Sequence, residues 1–234
     1  MADAEAATPR IFIARHGETE WAKSGRHTGT TDIELTPRGI RQVVATANQM
    51  VGPGKLLDPA RLMHVFVSPR KRARQTFDHL FEGGGRSAAV PAEKITVTED
   101  IAEWDYGDYE GLKAAEVRAL RKAKGLDAQR DWNVWSDGCE GGESPDEVAE
   151  RLDGLVARIK NMQRPFMGGE KPADVLLVAH GLILRVFVKR WLGYAVDAPM
   201  PMMMEPGAIG VLTYKHNNVD EPAFQVGLAL PCAE

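Results

Sequence analysis

Cysteine is almost missing from this 234-residue chain, with Cys139 and Cys232 its only two. Two thiols build no disulfide framework, and no Cys-x-x-Cys or Cys/His metal spacing occurs, so a disulfide scaffold or zinc module is excluded and reduced thiols are expected. Long apolar runs are missing too, and none approaches the ~20 residues of a membrane-spanning helix. A positive balance is absent: 29 basic against 33 acidic side chains leave a net charge of −4, with no overall pull toward nucleic acid or a membrane surface. An anionic ligand must therefore be met by a few local cations. Met1 to Pro9 is small and acidic, without the basic and apolar segments of a secretion signal, so a cytoplasmic location is expected. No internal repeat or long linker is visible.

What is present describes a globular protein. A hydrophobic share of 44% beside 26% charge leaves no room for a disordered reading. The length suits one domain over residues 10–234, preceded by a flexible segment of residues 1–9. Short aliphatic runs read as buried strands at Ile11 to Ala14, Leu62 to Val67, Ile95 to Thr98 and Val175 to Ala179. Two further strands are expected at Ile209 to Tyr214 and Phe224 to Leu228, joined through His216-Asn217-Asn218. Gly83 to Gly85 reads as a surface loop. Thr36-Pro37 is a helix start, followed by Ile40, Val43, Val44, Ala47 and Met50 at helical spacing. Ser144 to Glu147 is a capping box ahead of the stripe Val148, Leu152, Leu155, Val156, Ile159 and Met162. This alternation predicts a three-layer α/β/α sandwich around a mostly parallel sheet.

In such sheets ligands sit outside the carboxyl ends of the strands. The first strand runs into Arg15-His16-Gly17, and the second into Ser68-Pro69 and the basic set Arg70, Lys71, Arg72 and Arg74. The third leads to Glu103, and the fourth into His180-Gly181. Two histidines, arginines and a carboxylate thus converge from distant parts of the chain. Phosphate chemistry needs such a set. Arginine forks bind phosphoryl oxygens, a neutral imidazole can attack phosphorus, and a carboxylic acid can protonate the leaving oxygen. Ser68, read as a helix N-cap, would add free N–H groups near the anion. No metal is called for. Each piece alone has a plainer reading: a lone His is more often structural, and Arg70 to Arg74 alone would be a solvated helix face.

The motifs I-A-R-H-G-E-T-E-W ending at Trp21, Thr28 to Gly39 (TGTTDIELTPRG), Ser68 to Thr76 (SPRKRARQT), Gly142 to Leu152 (GESPDEVAERL) and Val178 to Arg185 (VAHGLILR) resemble, in order, the histidine phosphatase superfamily. The likeness is to the branch of cofactor-dependent phosphoglycerate mutases and fructose-2,6-bisphosphatases. It implies that His16 is phosphorylated during turnover and that Arg15, Arg72 and His180 hold the phosphoryl group. Glu103 matches the proton donor, with Glu99, Asp100 and Asp105 nearby as alternative acids. Thr28, Gly29 and Gly181 match positions near the phosphate, and Tyr106 matches a substrate-facing tyrosine. The resemblance implies no cofactor and no metal. Ala22 and Leu182 stand where mutases usually carry Asn, which favours hydrolysis over a mutase reaction. A catalytically silent member would be expected to lack His16, Arg72 or His180, and all three are present.

Ala102 to Gly111, Arg130 to Glu143 and Gly207 to Ala223 resemble the fungal sedoheptulose-1,7-bisphosphatases of that family. The implied substrate is a small phosphosugar, with a sugar bisphosphate such as sedoheptulose-1,7-bisphosphate first and another sugar monophosphate as the alternative. Between Trp191 and Gly207 the chain is shorter than those enzymes and rich in Met and Pro. Met200 to Met204 reads as packing or as a self-association surface for a homo-oligomer. Trp132 and Trp135 read as a sugar-stacking wall or as lid packing, and His27 as a neighbour of the phosphate loop.

Overall fold

A computed structural model describes residues 8–81 and 90–227. Six strands form one sheet: β1 (Ile11–Arg15), β2 (Leu62–Val67), β3 (Ile95–Val97), β4 (Asp174–Ala179), β5 (Ile209–Tyr214) and β6 (Pro222–Phe224). Their order is β3-β2-β4-β1-β5-β6. The first four are parallel, whereas β5 and β6 run antiparallel at one edge. The helices are α1 (Glu20–Ser24), α2 (Pro37–Met50), α3 (Lys71–Phe81), α4 (Ala114–Ala123), α5 (Val134–Asp137), α6 (Pro145–Gln163) and α7 (Gly181–Trp191).

The period-two alternation of the strands divides the interior into two cores, one on each face. Ile11, Ile13, Phe66, Val175, Leu177 and Leu212 meet the side chains of α6 and α7. Phe12, Ala14, Val65, Val67, Leu176 and Val178 meet those of α2 and α3. The result is the expected three-layer sandwich. Both predicted helix starts form: Thr36 Oγ1 accepts the Gly39 N–H, and Ser144 and Glu147 make a reciprocal capping box.

Two expectations need correction. The last strand forms earlier than the predicted Phe224 to Leu228, because the turn closes between Lys215 N and Glu221 O at 2.8 Å and pairing with β5 begins at once, from Pro222. Proline is tolerated there because β6 is an edge strand. Ser68 is not the N-cap of α3. That helix starts at Lys71, whose N–H is accepted by Asp32 Oδ1 at 2.6 Å. At the start of the described residues Thr8 is buried, and the Pro9 carbonyl accepts from Thr213 Oγ1 at 3.2 Å. Residues 1–7, the Gly83 to Gly85 loop, Leu228 and Cys232 lie outside the described residues. Among the described residues no helix is long and apolar enough to cross a membrane.

Candidate active site

Parallel pairing of β1 with β4 sets Arg15 beside Ala179, so His16 and His180 leave adjacent strand ends together. Their rings meet edge to face with centroids 5.1 Å apart, both buried. His16 Nδ1 lies 2.7 Å from the Gly17 carbonyl. A carbonyl only accepts, so Nδ1 carries the proton and Nε2 keeps its lone pair. Burial, reinforced by the charge of Arg72, pushes the His16 pKa down to about 3. The ring is therefore neutral at ordinary pH, the form in which imidazole is a nucleophile.

Arg72, on the first turn of α3, is fully buried. It makes four hydrogen bonds: Nε to His180 Nδ1 at 3.0 Å, Nη1 to the Thr31 carbonyl at 2.9 Å, and Nη2 to the Thr28 and Gly29 carbonyls at 3.0 Å each. The first bond makes His180 Nδ1 an acceptor, so its Nε2 holds the proton and donates to Ser68 Oγ at 2.6 Å. Burial and then Arg72 push the His180 pKa well below its ordinary value.

The Thr28 to Thr31 loop is gripped from its other side by Glu110, whose oxygens accept from the Gly29 and Thr31 N–H groups at 2.9 to 3.0 Å. Glycine is required at 29, since a Cβ there would lie 2.4 Å from the Trp104 carbonyl. Thr28 contributes its carbonyl, while its hydroxyl turns back to the Arg26 carbonyl at 3.1 Å. Gly181 serves a different end. Its missing side chain lets the Arg15 guanidinium lie against the backbone, where a Cβ would come within 3.0 Å of Nε. Arg15 Nη1 donates to the Met204 carbonyl at 2.6 Å, while its buried Nε has no partner among the described residues.

Glu103 is buried at the amino end of α7. Its carboxylate accepts from Trp104 N at 3.0 Å, Leu182 N at 3.1 Å and Ile183 N at 2.9 Å. Two of the three rival acids are otherwise engaged: Glu99 is exposed and pairs with Arg70 at 3.1 Å, and Asp105 accepts the Gly107 N–H at 2.9 Å. Tyr106 is buried and stacks on His27 with centroids 4.7 Å apart. Trp132 meets His27 edge-on and donates Nε1 to the Gly138 carbonyl, and Trp135 lies under Lys189 Nζ at 3.8 Å.

Sequence reasoning passed over several supports, although the quoted motifs contain most of them. Thr76 Oγ1 accepts the Gly17 N–H at 3.1 Å and donates to the Arg72 carbonyl at 2.8 Å, tying α3 to the nucleophile loop. Arg151 braces the segment before Glu103, with Nη1 on the Asp100 and Ala102 carbonyls and Nε on Glu143 at 2.7 Å. Among the described residues no group of three His, Cys, Asp or Glu side chains is placed to hold a metal ion.

A cavity of about 360 Å³ is lined among others by Trp135, Arg185, Lys189 and the Pro199 to Met202 stretch. Neither this lining nor that of a second depression of about 450 Å³, by Arg118 and Lys122, contains the histidines, arginines or Glu103 described above.

Residues 11–224 match the histidine phosphatase superfamily (branch 1). The chain belongs to that superfamily. The sedoheptulose 1,7-bisphosphatase of Saccharomyces cerevisiae is 37% identical to this histidine phosphatase over 251 aligned positions, which take in 94% of this chain and 92% of the yeast protein. That span exceeds the chain's own length, so the alignment opens gaps opposite it. An acid phosphatase of Mycobacterium tuberculosis is 34% identical, with 88% and 87% covered. Among solved structures, the mycobacterial glucosyl-3-phosphoglycerate phosphatase superimposes with a TM-score of 0.71 at 26% identity, covering 93% of this chain and 96% of that one. With relatives of these names, this member of the superfamily is a phosphatase.

Proposed function

We infer that the protein hydrolyses a phosphosugar, a sugar bisphosphate such as sedoheptulose-1,7-bisphosphate first among the candidates, through a phosphohistidine on His16. The observation that carries this reading is the buried, neutral His16 ring, with Nδ1–H tied to the Gly17 carbonyl and Nε2 left as a nucleophile within the field of Arg72 and Arg15. Nε2 attacks phosphorus as the ester P–O bond breaks. Glu103 gives its proton to the leaving oxygen, then takes one from the water that cleaves the P–N bond. Arg15 brings an unpartnered Nε–H to the phosphoryl oxygens. Arg72, with four N–H groups already committed, acts by its charge and by orienting His180. The His180 Nε2–H now accepted by Ser68 is the donor that can turn to a phosphoryl oxygen. These cations neutralise the transition state without a metal ion.

Leu182, where mutases usually carry Asn, supports water as the final acceptor. The sugar assignment rests on likeness to the yeast enzyme over nearly the whole chain. Phosphate release from a panel of sugar mono- and bisphosphates, with 3-phosphoglycerate included and chelator present, tests it. Selective release from a sugar bisphosphate, with acid-labile label trapped on wild type and missing from His16→Ala, is the expected result. Near-wild-type turnover by His16→Ala would falsify the mechanism, and isomerisation of 3-phosphoglycerate without release would make the protein a mutase.

A further inference from the structure

We propose that Glu110 is a positioning residue for the reaction: acting through two backbone amides, its carboxylate aims the Arg72 guanidinium and, through Arg72, the His180 donor. The inference rests on the phosphohistidine reading above and adds to it a residue outside the reacting set.

Arg72 and Glu110 grip one loop by its two kinds of backbone group. Glu110 Oε1 accepts the Thr31 N–H at 2.9 Å, and the Gly29 N–H is shared between Oε1 at 3.0 Å and Oε2 at 2.9 Å. Arg72 donates to the Thr28, Gly29 and Thr31 carbonyls. The Thr28 carbonyl and the Gly29 N–H belong to a single trans peptide unit, so they point in opposite directions from one rigid plane. That unit has the carboxylate at its positive end and the guanidinium at its negative end. Each bond polarises the other, and both are charge-assisted. Arg72 is fully buried, so water cannot make good a fork that has tilted away from its acceptors.

The electrostatics point the same way. Burial depresses the Arg72 pKa, and among the charges that oppose this Glu103 acts most strongly and Glu110 next, ahead of Asp32. Glu103 loses its charge whenever it holds the proton it is to give. Glu110 is then the chief compensating charge on Arg72. The two carboxylates lie seven residues apart on one segment. That segment is pinned to the phosphate loop by the Gly111 N–H on the His27 carbonyl and the His27 N–H on the Leu112 carbonyl, both at 2.9 Å.

Glu110→Gln keeps the shape and one acceptor oxygen, but removes the charge and turns an NH₂ group toward the Gly29 N–H. Inhibition constants do not depend on how much of a preparation is folded, so they separate positioning from stability. Vanadate, which takes the five-coordinate geometry of phosphorus during transfer, should bind Glu110→Gln ~10- to 100-fold more weakly, while inorganic phosphate should lose ~3-fold or less. Glu110→Asp, with the charge kept at a shorter reach, should recover part of the vanadate affinity. The aspartate variant carries the same comparison if the glutamine one does not fold. In an Arg72→Lys background Glu110→Gln should cost less than ~2-fold in kcat/KM, against ~10-fold in the wild type, because no fork is left to aim. Vanadate and phosphate weakened alike, or equal losses in the two backgrounds, overturn the inference and leave the phosphatase reading intact. A wild type that neither turns over a phosphate ester nor traps label on His16 removes that reading and this one together.

Discussion

The Nε–H of Arg72 donates to Nδ1 of His180 over 3.0 Å, which fixes the tautomer of a fully buried histidine. The same guanidinium holds the Thr28, Gly29 and Thr31 carbonyls, so one side chain sets both the phosphate loop and the second histidine. Lysine cannot reproduce this, since its donors sit on one nitrogen rather than on a planar fork. Arg72→Lys is expected to lower kcat/KM by ~10³ and stability by ~2–4 kcal/mol, because buried acceptors lose their donors. Steady-state kinetics and urea unfolding measure both. Wild-type kinetics in the lysine variant would show that a point charge suffices.

Two glycines separate close approach from mere vacancy. Gly29→Ala drives a Cβ to 2.4 Å from the Trp104 carbonyl and 2.9 Å from Glu110 Oε2, so the backbone beside Glu103 must move. A loss of ~2–3 kcal/mol and of most activity is expected. Gly154, exposed on α6, has nothing within 4 Å of a Cβ, and Gly154→Ala should stabilise by ~0.5–1 kcal/mol with unchanged kinetics. Thermal melts of the two variants should shift in opposite directions.

Acid should destabilise the protein through its buried histidines. The folded pKa of His16 is depressed to about 3 from the ordinary 6.5. Below pH 6.5 the unfolded chain therefore binds a proton that the folded one refuses, and stability falls as pH drops. Between pH 6.5 and 5 the loss from His16 is ~2 kcal/mol, at about 1.4 kcal/mol per pH unit. Urea midpoints at pH 7 and 5 should converge in His16→Gln relative to wild type. An identical pH dependence in the two proteins would show that His16 titrates alike folded and unfolded.

The strand ends, the two histidines and the arginines were legible because the chemistry follows directly on aliphatic runs, as Arg15-His16 follows Ile11 to Ala14 and His180 follows Val175 to Ala179. Roles carried by the backbone were not. Nothing in local sequence says that Thr28 acts by its carbonyl, or that Ser68, which reads as a helix cap, faces His180 across a sheet register fixed only on folding. Asp32 caps α3 from 39 residues away, and Arg151 braces the Glu103 segment from about 50, distances at which periodicity carries no signal. Gly181 could be matched by resemblance, yet its physical reason, the flat seat of Arg15, needs coordinates.

Glu103 is the residue whose two duties are hardest to separate. Its carboxylate accepts three backbone N–H groups, two of them from the first turn of α7, so it is a structural anchor as well as the proposed acid. Glu103→Gln removes the proton donor and turns an NH₂ group toward N–H donors, and a bare loss of activity would not say which change mattered. The leaving group does. A sugar alkoxide needs a proton to depart, whereas nitrophenolate does not. With a sugar phosphate, kcat/KM should fall by ~10² to 10⁴, the scale of general acid catalysis. With nitrophenyl phosphate, transfer to His16 should stay fast. The next step still lacks the base that activates water, so about one equivalent of nitrophenolate should appear in a burst, followed by slow turnover. Asp105→Asn keeps an Oδ1 acceptor for the Gly107 N–H and should give no burst. Equal losses on both substrates without a burst would leave Glu103 as the anchor of α7 and assign the proton to another group.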